Sequence, residues 1–97
     1  MRFAERVRLF RKELRLALPA DSFASLAAHA FHVTPAHVRT LLRPHEEALR
    51  SGDARIILLA LFGKTGLALW DSVAPDARQG LLRGITELYV LACEEIP

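Results

Sequence analysis

An all-α fold is predicted for this chain by three features of its sequence. Apolar residues recur at the three- and four-residue spacings of a helix, and no stretch alternates with the period of two that marks a strand. The prolines stand at positions 19, 35, 44, 75 and 97, near expected element ends. The length of 97 residues suits a single domain. We therefore expect one domain over residues 1–97, with five to six short helices.

The composition limits the class and location of the protein. Hydrophobic residues make up 52% of the chain, so it must bury wide apolar faces in its core or against a partner. Cys93 is the only cysteine and cannot form an internal disulfide. The longest apolar run, residues 56–62, is far shorter than the roughly 20 residues of a membrane span. Basic residues interrupt the N-terminal segment, which therefore lacks a signal-peptide core. We expect a cytoplasmic protein that does not bind membranes, with Cys93 as a small buried hydrophobe.

The first helix is expected over residues 2–17. Phe3, Val7, Phe10 and Leu14 form one apolar stripe at helical spacing, and we expect Glu5 and the arginines outside it. A second helix should begin with Asp21 or Ser22 as its N-cap and run to about residue 31. A tight turn at His32 and Val33 would follow.

The third helix carries the clearest start signal, because Thr34 is a good N-cap and Pro35 suits the first helical position. Pro44 should interrupt it, and Ser51 and Gly52 should end the segment. Its expected inward residues are Val38, Leu41 and Leu42.

The remaining elements follow the same boundary signals. Asp53 should cap a fourth helix that stops at Gly63, and residues 65–72 should form a short helix. Pro75 and Asp76 should open a last helix that reaches about residue 95. We divide the domain into a core over residues 1–73 and a C-terminal packing or dimerisation helix over residues 74–97.

Residues 23–43 have the pattern of a helix-turn-helix. Ala28 is small enough for a close helix crossing, Val33 can fill the angle after the turn, and Val38 and Leu41 can anchor the second helix. In such a motif the outer face of the second helix enters the major groove of DNA. That face would hold Pro35, Ala36, Arg39, Thr40 and Arg43.

The chain resembles the lambda-repressor-like (Xre-type) helix-turn-helix family over residues 3–73. Residues 3–14 are similar to the first helix of that family, and residues 53–73 are similar to its fourth helix, glycine stop and short fifth helix. Residues 73–82 resemble a C-terminal helix that is often appended to such domains. The resemblance implies double-stranded DNA as the partner and helix-turn-helix geometry for residues 21–43.

If this geometry holds, each DNA-facing residue has an expected role. Arg39 is the best candidate for a bidentate contact to guanine, and Thr40 for a base edge or a thymine methyl group. Thr34 and Arg43 would bind phosphate, whereas His37 would face either the DNA backbone or solvent. The full predicted DNA-binding set is Thr34, Pro35, Ala36, His37, Arg39, Thr40 and Arg43.

Charge is unevenly distributed along the chain. Residues 1–50 hold nine Arg and Lys residues against five acidic ones, whereas residues 51–97 hold four against six. This asymmetry favours an N-terminal half that meets a polyanion, although it also fits ordinary solvated charge. On the first helix, the residues that could contact flanking phosphates, or simply face solvent, are Arg8, Arg11, Lys12 and Arg15.

The last helix predicts a packing surface. Ala77, Leu81, Ile85, Leu88 and Ala92 form an apolar stripe, and the four-residue spacing of Gly80 and Gly84 indicates that another backbone comes close. That backbone could belong to helix four of the same chain or to a second subunit. We expect a homodimer, with Trp70 and Tyr89 as core or interface anchors. The expected dimer interface is Gly80, Leu81, Gly84, Ile85 and Leu88.

No catalytic residue, cofactor or metal is predicted. Gly63, Lys64 and Thr65 resemble the end of a phosphate-binding loop, but Leu58 stands where that motif needs a glycine. The histidines lack a convergent metal-ligand pattern, and no nucleophile stands beside a base.

The expected function is a sequence-specific transcriptional regulator that binds DNA as a homodimer. The main alternative is a helical protein-interaction module, such as an adaptor, an anti-activator or a phage-type inhibitor. A weaker alternative is binding to an anionic membrane surface through the first helix, with Phe3 and Phe10 in the lipid.

Overall fold

The computed structural model describes residues 1–30 and 33–96, and it confirms the all-α class. The expected turn at His32 lies outside these residues, as does the expected end of the second helix near residue 31. Within the described residues, three short 3-10 helices cover Arg43–His45, Trp70–Ser72 and Pro75–Ala77. The α-helices within the described ranges are α1 (Phe3–Ala17), α2 (Ala20–Ala30), α3 (Pro35–Leu42), α4 (Glu46–Ser51), α5 (Ala54–Leu69) and α6 (Arg78–Glu95).

Two predicted N-caps are confirmed. The Thr34 Oγ1 atom accepts a hydrogen bond from the His37 amide at 3.2 Å, with Pro35 as the first residue of α3. The Asp53 Oδ1 atom accepts from the Ile56 amide at 3.4 Å. Each side chain satisfies an amide that the first helical turn leaves unpaired.

The start of α2 corrects one prediction. The helix begins at Ala20, and the Pro19 carbonyl accepts from the Phe23 amide at 3.0 Å. Asp21 therefore lies in the first turn instead of capping it, where its negative charge still suits the positive end of the helix. Ser22 is likewise inside the helix.

Glycine interrupts the helical backbone at both predicted positions. Gly52 ends α4 with a φ of 74°, and Gly63 has a φ of 70° and a ψ of −163° inside α5. Both values lie in conformations that glycine adopts most readily. Helical backbone resumes after Gly63 and continues to Leu69, so the expected fourth and short helices form one kinked element.

The core lies between α1, α3, α5 and α6. Helix α6 packs mainly on α1 and α3, and α3 also contacts α5. The pairs Phe3–Glu95 and Arg6–Glu87 show that α1 and α6 run antiparallel. The largest completely buried side chains are Phe10, Val38, Leu42, Ile57, Ile85 and Leu88.

The contacts of α2 do not match the expected helix crossing. Among the described residues, α2 packs chiefly on α5 and α1, whereas α3 packs chiefly on α6 and α5. Ala28 is exposed, whereas Leu26 of α2 is buried in the core. Val33 does pack against the core, as expected for the residue after the turn. The prediction of a close helix crossing at Ala28 is therefore wrong, because the side of α2 that carries Leu26 faces the core.

Arg6 corrects the prediction that the arginines of α1 lie outside its apolar stripe. It is only 3% exposed, while Phe3, Phe10 and Leu14 beside it are buried as expected. Its Nε atom donates to Glu87 Oε2 at 2.7 Å, and its Nη1 atom donates to Glu13 Oε1 at 2.8 Å. A guanidinium can occupy this position because both carboxylates compensate its lost hydration.

Four of the five residues expected at a dimer interface belong to the core of the chain. Leu81, Gly84, Ile85 and Leu88 are buried, and only Gly80 is exposed. A Cβ atom on Gly84 would lie 2.5 Å from Arg6 Nη2 and 3.1 Å from Phe10 Cδ1. The backbone that approaches α6 is therefore α1 of the same chain, and these buried residues offer no surface to a second subunit.

Candidate nucleic-acid interface

Helix α3 has one side buried in the core and the opposite side exposed to solvent. Val38 and Leu42 have no exposed surface, and Leu41 is half-buried, so the opposite side of the helix faces solvent. Arg39 and Pro35 lie at its margins and are half-buried. The exposed residues there are Ala36, His37, Thr40 and Arg43.

An open groove brings together four of the predicted DNA-contacting residues. Its walls also include Pro44 and Ile96, the residue that follows α6. One polar hydroxyl and two guanidinium groups therefore share a concave surface with small apolar groups. This is a suitable chemistry for reading base edges. The four predicted residues are Ala36, Arg39, Thr40 and Arg43.

A second groove connects the beginning of α3 with α1. Thr34 and Pro35 line it together with Arg2 and Arg11. Glu95, at the end of α6, also lines this groove. The structure therefore places the first turn of α3 and two arginines of the N-terminal segment around one space.

The basic residues of α1 form a continuous stripe. Three basic residues follow Arg8 at spacings of three, four and seven, so all four share one helical face. All are exposed: Arg8, Arg11, Lys12 and Arg15. Arg11 of this stripe also lines the second groove. At the other end, the Arg15 guanidinium carbon lies 5.1 Å from the centre of the Phe23 ring, a cation–π contact with α2.

The sequence does not predict some of the residues that line the two grooves. These are Arg2, Pro44, Glu95 and Ile96. The positive charge of Arg2 was a usable signal, since it precedes the basic stripe. Glu95 and Ile96 had no local signal, because only the antiparallel packing of α1 and α6 brings the end of the chain beside α3.

Tyr89 is a buried anchor of the core on α6. Its hydroxyl donates to Glu46 Oε2 of α4 at 3.0 Å. Burial raises the pKa of Tyr89 to about 12, and contacts with Cys93 and Glu46 add to the shift.

Trp70 is half-buried, and the Arg78 guanidinium carbon lies 5.6 Å from its ring centre. Cys93 is half-buried rather than fully enclosed.

The membrane alternative does not fit the placement of its expected anchors. Phe3 and Phe10 are buried in the core, so they are not free to enter lipid. Over residues 1–30 and 33–96, no helix combines the length and the apolar character needed to span a bilayer.

Neither family models, curated proteins nor solved structures give a match to this chain. The resemblance to the lambda-repressor-like family therefore stays a prediction from the sequence.

Proposed function

We propose that this chain is a cytoplasmic, sequence-specific DNA-binding regulator that inserts the outer face of α3 into the major groove. The observation that carries the proposal is the groove shared by Arg2, Arg11, Thr34 and Pro35. It makes the basic stripe of α1 continuous with the start of α3. Reading a base sequence and holding the phosphate backbone need these two surfaces side by side.

The dimensions of α3 support this role. An α-helix with its side chains has a diameter of about 10–12 Å, which fits the roughly 12 Å width of the major groove. Thr40 and Arg43 are exposed on the face that would meet the bases, and Arg39 lines the same groove. Arg39 is the proposed guanine reader, and Arg43 and Thr34 are the proposed phosphate contacts.

Phosphate contacts on α1 would provide most of the affinity. In this proposal Arg8, Arg11 and Lys12 meet the DNA strand that flanks α3. Each such contact releases counterions from the DNA, so binding should weaken as the salt concentration rises. The proposal depends on the faces of α3 and α1 and does not need the α2–α3 crossing at Ala28.

The decisive experiment is selection from a random duplex library by the purified protein. The test variant is Arg39→Ala/Arg43→Ala. The matched control is Arg50→Ala/Arg83→Ala, which removes the same charge from exposed residues outside both grooves. We expect the native protein and the control to enrich one motif and the test variant to enrich none. A folded native protein that enriches no sequence at low salt would contradict the proposal.

The homodimer is part of the same proposal. Two copies of α3 would read half-sites about one helical turn apart, so the enriched motif should be palindromic. Because the predicted face of α6 is buried within the chain, any dimer must use another surface. An enriched motif with one half-site only would argue against a dimer.

A second candidate function, a protein-interaction module, is favoured by the exposed apolar side of α5. Ile56 and Leu59 are 42% and 47% exposed on a helix whose other faces are also apolar. A helix that is apolar all round is usually covered on all sides. Light scattering on the native protein and on Leu59→Lys tests self-association through this face. A native dimer that the substitution separates would support it, and a monomer at all concentrations would exclude a second copy as the partner.

A further inference from the structure

We infer that the exposed side of α5 binds an amphipathic helix of another protein, in which acidic residues flank the apolar stripe. The inference names the partner of the second candidate function, on which it rests, and it does not depend on DNA binding. The surface consists of Ile56, Leu59, Ala60 and Gly63, whose spacings of three, one and three place them on one side of the helix. We call this surface the outer face of α5.

The outer face of α5 leaves apolar side chains in water. The opposite side of the helix is fully used by the core, because Ile57, Leu58 and Leu61 are buried there. Ile56 and Leu59 nevertheless remain exposed. Covering two large aliphatic side chains with another apolar surface is favourable, so a partner that does so gains affinity.

The shape of the outer face suits a second helix. Ile56 and Leu59 carry large side chains, whereas Ala60 has a small one and Gly63 has none. Among the described residues beyond its chain neighbours, no atom lies within 4 Å of the Cβ position of Gly63. Side chains of an opposing helix can therefore pack between the aliphatic residues and this gap, as they do where helix ridges fit into helix grooves.

Two basic residues bracket the outer face. Arg55 stands beside its start, Lys64 follows its end, and both are exposed. In the part of the chain that the structure describes, neither forms an ion pair with a carboxylate. Residues 54–69 contain no acidic residue, and Asp53 before them is engaged as the N-cap. A partner with acidic residues beside its apolar stripe therefore has the complementary charge.

The same charges disfavour a second copy of this chain as the partner. A symmetric dimer places one face of each copy against the same face of the other. An antiparallel pair of α5 helices centred on Leu59 would bring Arg55 of one copy near Lys64 of the other, and a parallel pair would bring equal residues together. Like charges in such positions weaken association.

Selection from a library of helical peptides tests the inference with a defined probe. The peptides are about 18 residues long, which is five helical turns. Leucine is fixed at the spacings of one apolar stripe, and the flanking positions vary among glutamate, glutamine and lysine. We expect the native protein to enrich glutamate at these positions, whereas Leu59→Lys should enrich no peptide.

Fluorescence anisotropy with an enriched glutamate peptide then separates the apolar contribution from the charge. Leu59→Lys should weaken binding at least about tenfold, because it places a charge within the apolar contact. Arg55→Glu/Lys64→Glu should weaken it about three- to tenfold and shift the preference towards the lysine peptide. Val90→Lys is the matched control, since Val90 is an exposed apolar residue of α6 outside the outer face, and it should bind like the native protein. Circular dichroism establishes that each variant is folded.

Each contrary outcome is distinct. Selection of no peptide, selection without a preference for glutamate, or equal binding by Leu59→Lys and Val90→Lys would overturn the inference. A native dimer that Leu59→Lys separates would also overturn it, while it would keep the interaction module with a second copy as the partner. The result of the duplex selection does not enter these comparisons, so DNA binding and peptide binding stand or fall separately.

Discussion

Arg6 of α1 donates through Nε to Glu87 Oε2 of α6 at 2.7 Å, in a position where the arginine is 3% exposed. Its Nη1 atom donates to Glu13 Oε1 at 2.8 Å, so one guanidinium joins two carboxylates across the α1–α6 packing. The Cβ position of Gly84 lies directly against this guanidinium. This contact lies within the antiparallel packing of α1 on α6, which also brings Glu95 beside the start of α3.

The substitution Arg6→Ala should destabilise the fold. It removes a long buried side chain and both of its ion pairs, which predicts a loss of about 2–3 kcal/mol in the free energy of unfolding. We expect a smaller loss of stability than for a fully buried ion pair, because the Glu13 and Glu87 side chains are partly exposed. Urea denaturation followed by circular dichroism measures the change.

The control for Arg6→Ala is Arg50→Ala. Arg50 also pairs with a glutamate, Glu47, but both side chains are largely exposed. Removal of such a surface pair should leave the unfolding midpoint almost unchanged. Equal effects of the two substitutions would contradict a structural role for Arg6.

Two glycines of α6 should respond to alanine in opposite directions. At Gly84 a Cβ atom would press on the pinned Arg6 guanidinium and on the Phe10 ring, so Gly84→Ala should cost about 1–2 kcal/mol. At Gly80 nothing lies within 4 Å, so Gly80→Ala should gain about 0.5–1 kcal/mol from helix propensity. Thermal and urea unfolding of both variants check the signs. A stabilising Gly84→Ala would show that α1 does not approach α6 at this point.

Tyr89 should make stability depend on pH in the alkaline range. The raised pKa of about 12, against an ordinary value of 10.0, means that the folded state favours the neutral hydroxyl. This contribution is fully present below pH 10 and is lost as the pH rises towards 12. The Tyr89→Phe variant should lack this part of the loss in the free energy of unfolding at alkaline pH. Urea unfolding of both proteins between pH 9 and 12 provides the comparison, and identical pH dependences would contradict the shift.

The basic stripe should determine the salt dependence of DNA binding. If Arg8 and Lys12 each contact one phosphate, Arg8→Gln and Lys12→Gln should weaken binding similarly on all sequences. Each should also reduce the slope of log K against log salt by about one. Anisotropy titrations at several salt concentrations measure this slope. Arg83→Gln, on the exposed side of α6, is the control and should leave the slope unchanged.

Much of the local structure could be predicted from short stretches of sequence. The caps at Thr34 and Asp53 and the breaks at Gly52 and Gly63 depend on hydrogen bonds and backbone angles within a few residues. The outer face of α3 also follows from spacing, since burial of Val38 and Leu42 places Thr40 on the opposite side. Such features need no knowledge of the neighbouring helices.

The tertiary structure alone decided which groups meet. Helical spacing identified the apolar stripe of α6, but the same stripe would serve a core or a dimer interface, and only the packing of α1 placed it in the core. The buried Arg6 and the Glu95 carboxylate beside the start of α3 arise in the same way. Their partners are 81 and 92 residues away, so no local pattern specifies them. The sequence by itself therefore determined the helices and their exposed and buried faces, whereas the antiparallel contact of α1 with α6 determined what each face touches.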